Sequence, residues 1–170
     1  FLLRGGHLIA YVDPLFRLDP AGQNPQNPMA RMDVSSNMEK LFTAWGIKFD
    51  SSYVVADRNF PTTLSGPNGQ AAESLTVLSL TSDAFDSENI LTSQIDNILF
   101  AFAGSFSGTP TEGLTKEVLV RSSKNAQAID KLMAERSHEV NRDFQPTNKE
   151  YDMAIMLTGK FKTAFPDGAP

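Results

Sequence analysis

Few side chains in this sequence can take part in nucleophilic, acid–base or metal chemistry. The 170 residues contain no cysteine and two histidines, His7 and His138. The absence of cysteine excludes thiolate catalysis, disulfides, iron–sulfur clusters and cysteine-based zinc sites. His7 begins an apolar run and His138 lies in a polar stretch, and neither belongs to a histidine–carboxylate group of the kind that holds a catalytic metal. The sequence therefore predicts neither a metal nor a cofactor.

Two carboxylates remain as candidates for a site, because each follows a short apolar run. Asp13 follows residues 8–12 (LIAYV), and Asp57 follows residues 53–56 (YVVA). Runs of this length, rich in β-forming residues and bounded by turn residues, predict strands buried on both faces of a parallel sheet. Open α/β sheets bind ligands at the carboxyl ends of such strands. Asp13 and Asp57 are therefore the candidate ligand-binding residues, although either could instead cap a turn.

The familiar catalytic motifs are incomplete or missing. Residues 104–108 (GSFSG) resemble a nucleophile elbow, but Phe106 stands where the serine should be. No glycine-rich motif that cradles phosphates is present. Asp83, Asp86 and Glu88 could supply calcium ligands, but their spacing is not that of an EF-hand loop. We predict that the chain is not an enzyme.

Composition restricts the class of partner. Twenty acidic and fifteen basic residues give a formal net charge of −5, and the basic residues are scattered. This balance argues against a nucleic-acid or anionic-membrane surface. The hydrophobic content of 41% is enough for a core, and the length suits one domain. No run of about 18 apolar residues occurs, so the sequence contains no predicted transmembrane helix.

The first third of the chain predicts helix–strand units around the two carboxylates. Residues 1–4 look like the last turn of a helix closed by Gly5 or Gly6, so the chain is expected to be an excised part of a longer protein. Residues 14–34 contain four prolines and predict a long loop.

A helix is predicted after this loop. Ser36 and Glu39 match a capping box, and Gly46 is suited to ending the helix. Between them lies an apolar stripe at helical spacing. The stripe consists of Met38, Leu41, Phe42 and Trp45. Because a strand is predicted next, over residues 53–57, this region is typical of half of a β-α-β crossover.

The second half of the chain predicts mostly strands. Asn68-Gly69 is a hairpin signal, and residues 71–81 favour a strand without excluding a helix. Alternation and β-formers predict further strands, whereas apolar spacing predicts a short helix over 125–136. The predicted strands are residues 95–104, 114–123 and 151–165, the last with a bulge at Gly159. The expected fold is α/β, a single domain over residues 1–170 with a mostly parallel or mixed sheet and flanking helices.

Several of these stretches resemble a known family. Residues 1–15 (FLLRGGHLIAYVDPL), 41–50 (LFTAWGIKFD) and 54–57 (VVAD) are similar to the auxiliary component of ABC transport systems of the GldG type. Residues 154–166 (AIMLTGKFKTAFP) are similar to a short sequence motif of that family, in which a serine occupies the position of Thr163. The resemblance covers most of the chain and rests on short stretches of structural, not catalytic, residues.

The resemblance implies a flavodoxin-like or class-I amidotransferase-like fold. It also implies an extracytoplasmic domain, anchored by membrane helices outside this segment, in a system linked to gliding motility or uncharacterised export. Amidotransferase activity is not implied, because its nucleophile would be a cysteine. The expected function is non-enzymatic binding of the transporter's membrane subunits or of a transported substrate.

Two alternatives stay open at the level of sequence. One is a small-molecule module for a saccharide or peptide that uses Asp13, Asp57 and the loop over 15–34. The other is an enzyme whose site is completed by residues outside this segment. Whatever its function, a free-standing domain could form a homodimer through an exposed sheet edge.

Overall fold

The computed structural model describes residues 1–16, 35–65 and 69–168, and within these ranges it is built mainly of β-strands. The strands are β1 (Lys48–Phe49), β2 (Tyr53–Asp57), β3 (Pro61–Ser65), β4 (Ala71–Thr81), β5 (Asn97–Ala101), β6 (Phe106–Ser107), β7 (Leu114–Arg121), β8 (Ala126–Asp130) and β9 (Asp152–Gly159). The α-helices are α1 (Glu39–Ala44) and α2 (Ser137–Asp143), and Leu2–Arg4 and Ser82–Ala84 form 3-10 helices.

All strand pairs in the described ranges are antiparallel, in three sheets. One sheet has the order β1-β6-β9-β7, the second pairs β2 with β8, and the third has the order β3-β4-β5. The prediction of a parallel or mixed α/β sheet, flavodoxin-like or amidotransferase-like, is therefore wrong. Parallel neighbours need a long crossover, usually a helix, whereas α1 and α2 have only six and seven residues.

The predicted first strand is also absent. Residues 6–12 adopt no regular secondary structure, and their apolar side chains are not buried between strands. The glycine that precedes them does behave as predicted. Gly5 has φ 86° and closes the 3-10 helix Leu2–Arg4, with its N–H donating to Leu2 O. Most of the predicted loop over 14–34 lies outside the described residues.

The helix α1 forms where the apolar stripe predicts it, but without the predicted capping box. Its N-cap is Met38, and no side chain caps it. Ser36 instead accepts a hydrogen bond at its Oγ from the N–H of Asp13, 2.8 Å away. Since that oxygen is bonded to another segment, the capping prediction at Ser36 is wrong.

The apolar stripe of α1 packs as predicted. Phe42 and Trp45 are buried with Ile47 and Phe49 in one hydrophobic cluster, to which Met38 and Leu41 contribute at the edge. Trp45 Nε1 also donates to Lys162 O at 3.1 Å, and its ring meets Phe161 edge to face. Trp45 therefore joins α1 to the segment that follows β9. The helix ends at Ala44, and Gly46, two residues later, has the left-handed conformation that was predicted to close it, with φ 76°.

The strand predictions in the second half are largely confirmed, but the predicted helix over 125–136 is wrong. The ambiguous stretch 71–81 is the strand β4, which pairs with β3 on one side and β5 on the other. Residues 126–130 form β8, whose five residues pair one by one with β2. Partner pairing outweighs a helical spacing of apolar residues when a strand edge is available.

The largest hydrophobic cluster lies where the three sheets meet. It contains side chains from β2, β4, β7, β8 and β9. Its fully buried members include Val55, Leu78 and Leu80, and Phe60, immediately before β3, is 8% exposed. This cluster forms the apolar support under the candidate site described next.

Candidate functional site

A cleft of about 670 Å³ opens where the beginning of β3, the end of β4 and the end of β7 meet. Volumes of 300–1,000 Å³ are typical of small-molecule sites. Four charged side chains line the cleft together with hydroxyl and amide groups. The charged residues are Asp83, Arg121, Lys124 and Glu150.

Asp57 lies beneath the cleft rather than in it. Its side chain is fully buried at the end of β2. Oδ1 accepts from Asn59 N at 2.8 Å and from Ser123 Oγ at 2.7 Å, and Oδ2 accepts from Ser123 N at 2.6 Å. Because Asn59 and Ser123 both line the cleft, Asp57 fixes two parts of its wall relative to each other.

A second set of hydrogen bonds ties the turn after β7 to the residues after β2. Asn125 N donates to Ser123 Oγ at 3.0 Å, and Asn125 Nδ2 donates to Asn59 Oδ1 at 3.0 Å. Arg58 N donates to Asn125 O at 3.1 Å. The wall from 57 to 59 and the turn from 122 to 125 therefore form one connected unit.

The rim at Glu150 is held through its neighbour Tyr151. Ser122 N donates to Tyr151 O at 2.9 Å, and Tyr151 N donates to Ser122 Oγ at 2.8 Å. Glu150 Oε2 lies 3.8 Å from Arg121 Nη1, with the two side chains 40% and 47% exposed. An ion pair this long and this exposed contributes at most about 1 kcal/mol, so both groups stay open to a ligand.

The other two charged groups are not paired. Within the described residues, neither Lys124 nor Asp83 has a hydrogen bond or an ion pair through its side chain. Asp83 belongs to the 3-10 helix after β4. The bridge between Phe85 and Val120 holds the segment after this helix antiparallel to β7. Unpaired charges of opposite sign thus face one cleft.

Asp13, the other predicted site residue, lies in a different environment. It is partly buried, its O accepts from Ser36 N at 2.9 Å, and burial raises the pKa of its carboxyl above the ordinary value. Asp13 and Asp57 share no hydrogen-bond partner in the described part of the chain. The premise that Asp13 ends a parallel strand is wrong, and its role in binding stays a prediction.

Three of the four charged residues of the cleft were not predicted as site residues from the sequence, and the fourth, Asp83, was considered only as a calcium ligand. The four come from three separate stretches, at 83, at 121–124 and at 150, that only the sheet pairing brings together, so no local spacing could indicate the cleft. A further sequence signal was the polar run Ser122-Ser123-Lys124-Asn125, which is typical of a turn.

Nothing in the described ranges assembles a metal site: no group of three or more histidine, aspartate or glutamate side chains is close enough to hold an ion. Of the residues considered for calcium, Asp86 uses Oδ1 to accept from Glu88 N at 3.0 Å. Both histidines are exposed.

A second feature is an exposed apolar stretch, residues 6–12, which we call the N-terminal apolar segment. The exposed fractions of Leu8, Ile9 and Tyr11 are 52%, 80% and 88%. Between His7 and Val12, no backbone group is hydrogen-bonded to another described residue. Folded proteins seldom leave several large apolar side chains together in water without a binding role.

Comparison with known proteins gives one match. The model of a family described as an ABC-type uncharacterized transport system matches residues 1–170. No curated protein and no solved structure matches the chain. Across the described residues, none of the helices has the length and apolarity needed to cross a bilayer.

Proposed function

The chain belongs to the family of auxiliary components of ABC-type uncharacterized transport systems, and we propose that it serves its system by binding a membrane subunit through the N-terminal apolar segment. The observation that carries this proposal is the segment itself. It combines exposed Leu8, Ile9 and Tyr11 side chains with a backbone that has no hydrogen-bond partner among the described residues.

The free energy gained by burying these side chains in an interface favours a protein partner. Fully burying one leucine or isoleucine side chain contributes about 1.5–3 kcal/mol. Ile9 and Tyr11 are separated by one residue, so in an extended chain they point to the same side, and Leu8 points to the other. A partner that covers both sides would therefore gain several such contributions.

A backbone without hydrogen-bond partners in the described part of the chain favours a partner that presents a strand edge. In β-augmentation, an extended segment joins a sheet through main-chain hydrogen bonds, while alternate side chains enter pockets. The stretch from Leu8 to Val12 contains the β-forming residues that suit this arrangement. A small solute cannot satisfy a row of N–H and C=O groups in this way.

We place the interaction on the extracytoplasmic face of the membrane. Support comes from the membership in a transport-system family and from the absence of cysteine, which makes the chain compatible with an oxidising compartment. The binding role requires no catalytic group.

Photo-crosslinking in the native host tests this proposal. A photoreactive phenylalanine analogue at position 11 should crosslink to a membrane subunit of the transport system. Ile9→Asp should abolish the crosslink, because it places a charge in the buried interface. Ile90→Asp is the matched control, since Ile90 is 86% exposed outside the segment, and it should leave the crosslink intact.

Three outcomes would contradict the proposal. The crosslink could join two copies of the chain, which would indicate a homodimer. It could fall within one polypeptide, which would mean that the segment completes the protein's own fold. The crosslink to a membrane subunit could also survive Ile9→Asp, in which case the segment does not carry the binding.

A further inference from the structure

The cleft above Asp57 has the volume of a small-molecule site and is open to solvent, and its walls are held in place by hydrogen bonds among its own residues. Asp57, Ser123 and Asn59 are joined by hydrogen bonds of 2.6–2.8 Å. Preorganised walls reduce the ordering that a ligand must impose when it binds. This site is separate from the N-terminal apolar segment, so the inference does not depend on the partner binding proposed above.

The charges of the cleft point to a ligand that carries both signs. Lys124 and Asp83 line the same cleft, and neither has an ion-pair partner among the described residues. Arg121 and Glu150 also line it and are only loosely paired, at 3.8 Å. A cleft with equal numbers of cations and carboxylates repels a phosphate or a nucleotide with one half of its charges and attracts it with the other.

The apolar part of the cleft argues against a sugar. Proteins that hold sugars through their apolar faces need an exposed aromatic ring, and the aromatic residue that lines this cleft, Phe60, is only 8% exposed. Hydrogen-bonding groups are plentiful instead. Thr81 is an exposed residue of the lining, and Asn59 is hydrogen-bonded through Oδ1, whereas its Nδ2 group has no partner in the described part of the chain. Such groups suit the amides of a peptide.

We propose that the cleft binds a short zwitterionic peptide, with its carboxylate against Lys124 and Arg121 and its ammonium group against Asp83. The volume of about 670 Å³ exceeds what a single amino acid requires and accommodates two or three residues. Because the charged groups at the rim are exposed, the affinity is modest.

Calorimetric titration of the purified full-length protein with trialanine tests this directly. Trialanine amide lacks the carboxylate, and N-acetyl-trialanine lacks the ammonium group. Each blocked peptide should bind about two- to fivefold more weakly than trialanine, which is the effect of losing one exposed ion pair.

Variants then assign each end of the peptide. Lys124→Gln should weaken trialanine about two- to fivefold and leave the affinity for trialanine amide unchanged, because the amide has no charge for Lys124 to contact. Asp83→Asn should do the same for trialanine and leave N-acetyl-trialanine unchanged. Lys149→Gln and Asp96→Asn are matched controls, since both residues are exposed and do not line the cleft.

Both tested side chains are exposed and make no side-chain hydrogen bond in the described ranges, so the variants should unfold at the wild-type temperature. The proposal is overturned if folded wild-type protein shows no binding of trialanine at millimolar concentration. It is also overturned if the amide binds as tightly as trialanine, or if Lys124→Gln weakens both equally. A saccharide that binds in its place, with loss in Asp83→Asn, would assign the cleft to a different ligand class.

Discussion

Replacement of Asp57 by asparagine tests whether a buried carboxylate holds the floor of the cleft. The carboxylate accepts three hydrogen bonds, two at Oδ1 and one at Oδ2. Asparagine keeps one acceptor oxygen and places an NH₂ group where the other oxygen was. Whichever way the amide turns, at least one donor of Asn59 or Ser123 then faces another donor.

The expected loss follows from the strength of bonds to charged groups. A hydrogen bond to a charged group contributes about 1.5–3 kcal/mol, and a buried donor left without a partner costs a similar amount. We expect Asp57→Asn to lower the free energy of unfolding by about 2–3 kcal/mol. For a chain of this size, this corresponds to a fall in Tm of roughly 4–12 °C.

Urea unfolding, followed by circular dichroism and by the fluorescence of the single tryptophan, Trp45, measures this loss. The matched control is Asp50→Asn. Asp50 Oδ1 accepts from Ser52 N at 2.9 Å, the same i to i+2 bond that Asp57 makes to Asn59, but Asp50 is exposed. The control should lose about 0.5 kcal/mol or less. If Asp57→Asn loses no more than Asp50→Asn, the carboxylate does not hold the cleft and the reasoning fails.

Three further outcomes are expected. Gly46 and Gly69 both have positive φ, but an added Cβ would collide with Thr109 O at Gly46 and meets open space at Gly69. Gly46→Ala should therefore lower the free energy of unfolding, measured in urea, by about 1–3 kcal/mol more than Gly69→Ala does. Equal losses in the two variants would contradict the close approach of Thr109 O to Gly46. Leu78→Ala should cost about 2–5 kcal/mol, because Leu78 is fully buried where the sheets meet, and thermal unfolding checks this. Burial raises the pKa of Asp13 in the folded protein, so the folded state holds this proton more tightly than the unfolded chain. Its contribution to stability is highest below the ordinary pKa of aspartate and falls as the pH rises through the raised folded value. Asp13→Asn should remove this fall and gain stability relative to the wild type between about pH 3 and pH 7, whereas parallel pH profiles of the two proteins would refute the role of Asp13.

Features that depend on neighbouring residues could be predicted from the sequence. The stripe of Phe42 and Trp45 indicated which face of α1 is buried, and Gly46 marked its end. Runs of β-formers located β5 and β7 to within a few residues and the start of β9 to within one, although β9 ends at Gly159 and not at 165. In each case the signal is a short-range pattern, because amphipathicity and backbone preference act over a few residues.

Pairing direction could not be predicted in the same way. A short apolar run has the same composition in a parallel sheet and in the centre of an antiparallel one, so β2 looked like part of a β-α-β unit. The stretch from Ala126 to Asp130 had its apolar residues at helical spacing, yet it pairs with β2 along its whole length. The segment from Leu8 to Val12 had the composition of a buried strand but has no partner among the described residues.

The family and its transport system were also indicated by the sequence, and the family match over residues 1–170 confirms the auxiliary component of an ABC-type system. The candidate site could not be predicted in this way, because it depends on contacts between residues far apart in the sequence. Asp57 was noticed because it ends a strand, but its burial and its bonds to Ser123 depend on a residue 66 positions away. Lys124 and Asp83 line the same cleft only because the segments that follow β7 and β4 lie next to each other in the fold. By itself, the sequence determined the segments that favour strand or helix and the family to which they belong. Only the tertiary structure decided which strands pair and therefore which charges meet, because contacts between distant residues are set by the packing of the whole chain.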